Sequence, residues 1–382
     1  EYSHAEDEEF CKDPINTIQN FDPSQVTDRG FHSDEDLKRG LANDLSTCIK
    51  NDPITFAEKI DDFKNLEHIY KSKAIQGFAN AWNDKQEFCW SSVLNFIKNE
   101  LSSEFFSSDE YNRQSFVSEI ANLIECGTKK DDNAFDKELL PKAKKILLIL
   151  LDNPYKEKED AAHNNFISHV LNSANGKVLH ALISYALRYG RLNSSQSVKW
   201  EEEVKIFFTE QLEKNNAYSK SVFTILGTYF QHLQFLDKDW AINNFNKIFP
   251  LHNKSLWGCS VTAYFFHTNT VYEETYNLFK DKGHITEILL TDFETSGTKS
   301  RLISFVCIAY VHDIDNETIL DIIQSKDKDN ILKIAYSIWK IYGDEKDTEI
   351  REKIQIIWRE IYNTYKDDNS DETRKIFLEL CK

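Results

Sequence analysis

Gly176-Lys177, inside NSANGKVLHALISYALRYGR (172–191), is the first pair in the chain that suggests chemistry. A glycine–lysine pair before an apolar run at helical spacing is how a phosphate-binding loop ends. Such a loop needs G-x-x-x-x-G-K-[ST]: a first glycine for the tight turn, backbone amides to hold phosphate, and a hydroxyl for magnesium. Leu171 stands where that first glycine belongs and Val178 where the hydroxyl belongs. Residues 165–171 read as helix, not strand. The pattern therefore predicts a helix start instead, with Ser173 as its cap. Leu179, Leu182, Ile183, Ala186 and Leu187 would form the buried face, and Gly190 the stop. Lys177, Arg188 and Arg191 fall off that face and are expected in solvent.

Other chemistry-bearing residues lack the required spacing. His163, His169 and His180 lie six and eleven apart, whereas two ligands on one helix face want three or four. HExxH and G-x-S-x-G do not occur. Cys89 and Cys126 sit on apolar stripes and are expected to be buried packing. The acidic stretches DKDN (327–330) and DIDNE (313–317) have no central glycine for a calcium loop. No cofactor, metal or catalytic residue is predicted.

The elements that must carry these residues are helices. Eleven Gly and six Pro in 382 residues disfavour a turn-rich β fold. Stripes recur at three and four: Ala74, Ile75, Phe78, Ala79 and Trp82; Phe88, Val93, Phe96 and Ile97; Phe116, Ile120, Leu123 and Ile124, the last stopped by Gly127. Further helices are predicted over 197–214, 218–235, 237–249, 255–267, 271–281, 298–312, 316–325, 329–342 and 346–365. No segment alternates strictly over six residues. Short turns make successive helices antiparallel neighbours, and a chain this long outgrows one bundle. The predicted fold is all-α, an irregular α-solenoid of stacked antiparallel helix pairs, tetratricopeptide-like or HEAT-like. The expected organisation is an irregular acidic lead-in (1–33), N-terminal repeats (34–155) and C-terminal repeats (156–382) continuous with them.

The net charge of −17 would repel a nucleic-acid backbone, and no basic stripe offsets it. The longest aliphatic run, ILLILL (146–151), is too short to span a membrane. Neither partner is expected. Seven scattered Cys without CxxC make a poor disulfide framework, which fits a reducing cytoplasm. Methionine is absent and the first residue is Glu1, so an excised piece of a longer protein is expected.

Residues 172–290 resemble the C-terminal tetratricopeptide-like array of bacterial antiviral STAND NTPases of the AVAST type. NSANGKVLHALISYALR (172–188) is similar to that family's helix start, in which a small residue and Gly-Lys/Arg precede "x-x-E-A-L". LDKDWAINNFNKIFP (236–250) is similar to an "L-D-P-E-W-A" helix ending in "I-F-P", with Leu256-Trp257 and the helix around 271–282 following in step. His180 replaces the expected Glu, and Lys238 the expected Pro. The resemblance implies a non-enzymatic sensor that recognises a phage protein by shape, oligomerising within a longer NTPase whose catalytic part lies upstream. A stand-alone scaffold or self-assembly module is the alternative. Adjacent aromatics such as Phe265-Phe266 cannot both face inward, so some rings should be free to anchor a partner. The expected partner-binding residues are Tyr185, Arg188, Tyr189 and Arg191, with Trp257 and Phe266.

Overall fold

The computed structural model describes residues 8–26, 33–107, 110–155, 166–214, 216, 218–293, 297–344 and 346–381. Among them every regular element is a helix and none is a strand. The chain forms two compact units, Glu1–Ala161 with Ser168–Ile242, and Ala162–Ile167 with Asn243–Lys382.

The first unit opens with two short helices, α1 (Glu8–Lys12) and α2 (Pro14–Gln19). The lead-in is thus less irregular than expected: Asp13 caps α2, and Pro14 fills its first turn, where no amide donor is needed. Cys11 is disulfide-bonded to Cys48, their Cα atoms 5.4 Å apart. That pairing corrects the expectation drawn from cysteine count. Two cysteines suffice when packing brings them within reach, and disulfides persist in oxidising compartments, so the count is no argument for a reducing one.

Next come α3 (Asp34–Asn51), α4 (Pro53–Glu58), α5 (His68–Asn83), α6 (Trp90–Glu100), α7 (Ser103–Ser107), α8 (Glu110–Cys126) and α9 (Leu140–Asp152). After them run α10 (Phe166–Asn172), α11 (Ala174–Leu192), α12 (Glu202–Gln211), α13 (Ser219–Thr228), α14 (Phe230–Leu236) and α15 (Lys238–Asn243). One row stacks α3 on α5, α5 on α8, α8 on α11 and α11 on α13. A second row runs from α4 to α6 to α9. Row neighbours are parallel: Ser72 Oγ meets Ser115 Oγ at 2.8 Å, and Gln76 Nε2 meets Glu119 Oε1 at 3.5 Å, both across 43 residues. The row helices α3, α5, α8 and α11 begin at residues 34, 68, 110 and 174, so no fixed period exists to be found.

The second unit repeats the plan. It contains α16 (Phe245–Ile248), α17 (Lys254–His267), α18 (Glu273–Asp281), α19 (His284–Leu290), α20 (Gly297–Val311), α21 (Thr318–Gln324), α22 (Lys328–Asp344), α23 (Thr348–Tyr365) and α24 (Asp371–Leu380). Here α17 stacks on α20, α20 on α22 and α22 on α24, while α21 packs on α23. Hydroxyl pairs again mark the row: Thr298 Oγ1 with Thr262 Oγ1 at 3.2 Å, Ser304 Oγ with Ser337 Oγ at 2.9 Å. Small side chains let neighbouring helices approach closely, and the hydroxyls of these pairs find their partners across the seam.

Candidate functional site

The Gly176-Lys177 pair opens α11 and does nothing with phosphate geometry. Ser173 Oγ accepts the Gly176 amide at 3.0 Å, so the donor a phosphate would need is already used. A Cβ on Gly176 would lie 2.0 Å from the Val170 carbonyl oxygen at the end of α10. Glycine is required there because one helix end presses on the next helix start. Leu179, Leu182, Ile183 and Ala186 are fully buried as expected, and Leu187 is half-buried.

Of the six residues expected to meet a partner, four fall in the first unit and two in the second, and five are buried or half-buried. Tyr185 is 1% exposed, and its hydroxyl donates to Glu201. Burial, then the Glu201 bond, raises its pKa well above the ordinary value. Arg188, expected in solvent, is 7% exposed. It donates to Asp131 Oδ1 and to the Phe135 carbonyl, each at 3.1 Å. Arg191 is half-buried, bonded to Asp131 and to the Thr128 carbonyl. Both arginines are drawn inward because the loop after α8 offers a carboxylate and carbonyls that need donors. Tyr189 is half-buried. Trp257 is buried at 1% and donates to His284. Only Phe266 is fully exposed, at 61%, while Phe265 beside it is buried, as the 100° step between helical neighbours demands.

The other groups with possible chemistry are mostly built into packing. His163 lies outside the described residues, and His169 is exposed. His180 sits between Glu125, 3.5 Å from its Nδ1, and the hydroxyl of Tyr229 at Nε2. Burial holds His180 below its ordinary pKa despite Glu125. Among the described residues, no three His, Cys, Asp or Glu side chains are grouped to hold a metal. Cys89 is exposed and Cys126 half-buried, correcting the expectation that both are core. The DIDNE stretch conceals a buried carboxylate. Asp315 accepts from Tyr276 Oη at 2.8 Å, from Lys280 Nζ at 2.7 Å and from the Thr318 hydroxyl. Burial works against its charge, but those bonds prevail and hold its pKa far below the usual range. No sequence pattern pointed to this tie between α18 and α21.

A groove does occur in the second unit. Along α20, Ser300, Arg301, Ser304 and Ile308 share one face. Along α22, Leu332 and Lys333, Tyr336 and Ser337, and Lys340 and Ile341 recur at four-residue spacing. Between these faces, with Glu379 of α24 on the wall, lies a groove of about 640 Å³. The Ser304–Ser337 hydroxyl pair is part of its lining. Tyr336 stands 53% exposed in it. Because Ile331, Ile334, Ala335 and Ile338 bury the opposite face of α22, an aromatic at 336 is out of place in a simple amphipathic pattern. That was the available signal in the sequence, and the stripe reading passes over it. Ligand sites combine an apolar lining with a few convergent polar groups, and this groove does.

Compared with protein-family models, curated proteins and solved structures, the chain matches none. The class defined by the fold is an all-α helical-repeat protein. No helix among the described residues is long and apolar enough to cross a membrane.

Proposed function

We propose that this chain is a non-enzymatic protein-recognition module that takes a protein segment in the groove between α20 and α22. One observation carries the reading: Tyr336 is exposed within a concave surface that also holds apolar and cationic side chains, the composition of a binding hot spot. Ser173 and Gly176 form a helix cap, Arg188 and Arg191 pair with Asp131, and Tyr185 and Trp257 lie in the core. Selection of a displayed random-peptide library on the purified chain tests this. Binders that compete with one another and are lost with Tyr336→Ala are expected. Binders indifferent to Tyr336, or none at all, would remove the reading.

The finer proposal is that the module is the ligand-sensing array of a larger bacterial antiphage NTPase. It is supported by the likeness of residues 172–290 to AVAST-type arrays. The groove lies beyond that segment, so the two supports are independent. Sequencing the whole reading frame tests it: a phosphate-binding loop encoded upstream is expected, and a frame without one ends the sensor proposal while leaving recognition standing.

A further inference from the structure

We infer that the groove selects an acidic segment of a partner protein, one that presents carboxylates on either side of an apolar residue. This rests on the recognition reading above and adds the chemistry of the ligand. The chain as a whole is acidic, with 63 Asp and Glu against 46 Lys and Arg. The groove reverses that sign: Arg301, Lys333 and Lys340 line it, with Glu379 as the carboxylate on its wall.

The three cations differ in how far their charge is already spent. Arg301 donates to the Phe265 and Thr268 carbonyls, at 3.1 and 3.2 Å, and to the Asn269 side chain. All three acceptors are neutral, so its guanidinium is oriented while its charge remains. Lys333 is paired with Asp329, one turn back on an exposed position. Lys340 is exposed, and no described residue pairs with it. Lys333 and Lys340 lie two turns apart, roughly 10 Å along the helix, and Tyr336 stands between them. The order along α22 is therefore cation, aromatic ring, cation, with Arg301 facing it from α20.

A matching ligand places carboxylates about 10 Å apart around an apolar side chain. An amphipathic helix does so with acids at i and i+7 and an apolar residue at i+3 or i+4. The apolar residue would cover Tyr336 and reach the Ile308, Leu332 and Ile341 lining. Cations in a concave, low-dielectric surface concentrate their field. The acidity of the rest of the chain discourages long polyanions, which favours a short acidic peptide over nucleic acid.

Fluorescence anisotropy on the full chain tests the inference. The probe is a labelled amphipathic peptide with Glu flanking Trp and Leu. Its comparisons are the same peptide with Gln for Glu, and a single-stranded oligo-thymidylate. The Glu peptide is expected to bind about tenfold tighter than the Gln peptide, and to weaken as salt is raised through the screening range. Lys340→Glu should abolish the preference for Glu, and Tyr336→Ala should weaken both peptides. Both positions are exposed, so circular dichroism should show the fold unchanged. Equal binding of both peptides, with both lost in Tyr336→Ala, overturns the acidic inference and leaves the recognition reading intact. If neither peptide binds in a Tyr336-dependent way, both fall. An oligo-thymidylate that displaces the Glu peptide also overturns the inference.

Discussion

Trp257 donates its indole N–H to Nδ1 of His284 at 3.0 Å, which fixes the imidazole as the tautomer protonated at Nε2. His284 is 1% exposed, and Phe245, Phe249 and Phe279 meet it edge-on. Burial, with Lys254 adding to it, pushes its pKa down to about 4. Between pH 6.5 and pH 4 the unfolded chain therefore binds a proton that the folded chain refuses. Stability should fall as pH drops through that window, by up to about 3 kcal/mol from this residue. Urea midpoints at pH 7 and pH 4.5 measure it. His284→Asn keeps an acceptor for the indole but cannot titrate, so it should be less stable at pH 7 and show a shallower pH dependence. His180 and His232 are depressed by burial as well, which leaves some slope in the variant. An unchanged slope in His284→Asn would show that the histidine does not titrate as described.

Gly176 and Gly258 should respond to alanine with opposite signs. Both lie in helices, where alanine is favoured over glycine by about 1 kcal/mol. Gly258 has nothing within 4 Å of where its Cβ would stand, so Gly258→Ala should gain most of that. At Gly176 the new atom would meet the Val170 carbonyl at 2.0 Å, and backbone must move to admit it. Overpacking of this kind costs about 1–3 kcal/mol or more, enough to outweigh the propensity gain. Thermal midpoints of the two variants decide the matter. A rise for Gly176→Ala would mean that the contact between α10 and α11 is looser than described.

The helices were legible in the sequence because their apolar residues recur at three and four. The stripe at Phe116, Ile120, Leu123 and Ile124 is wholly buried, and Gly127 does follow the end of α8. Pro141 stands in the first turn of α9, where its missing amide costs no hydrogen bond. The predicted helix over 218–235 splits at Tyr229, whose backbone leaves helical geometry between α13 and α14. The helices α19 and α24 were missed. The site was far less legible. Periodicity tells which residues leave the core stripe, but not what waits for them there. Arg188 and Arg191 do leave it, yet Asp131, far away in sequence, receives both. The groove needs two helices side by side, a relationship that no local pattern carries. The resemblance to AVAST-type arrays spans residues 172–290 and does not reach the residues that line the groove.

Arg188 should act on stability where the sequence suggested binding. Its guanidinium is buried, while Asp131 is exposed and also held by Arg191. Arg188→Glu would set a second carboxylate against Asp131 and the Phe135 carbonyl, at a cost of about 3 kcal/mol or more. Arg188→Met keeps the buried stem without the charge and should cost less, chiefly for the carbonyl left without its donor. Arg191→Ala removes a more exposed partner and should cost about 1 kcal/mol or less. Denaturant midpoints for the three variants should rank in that order. Full stability in Arg188→Glu would mean that Arg188 is free in solution.

The Cys11–Cys48 bond should hold the N-terminal helices to α3. Its partners are 37 residues apart, so closing that loop removes freedom from the unfolded chain worth about 2–4 kcal/mol. Cys48 is buried on α3 beside Ile49 and Leu45, so Cys11→Ser, at a half-buried position, disturbs the core least. Cys11→Ser should lower the unfolding midpoint. A reductant should lower the parent chain to a similar extent and have no further effect on the variant. Alkylation of the denatured, unreduced chain followed by mass measurement should label the five free cysteines and spare two. Seven labels would disprove the bond outright. Five labels with no response to reductant would mean that the bond forms but that α1 and α2 stay docked without it.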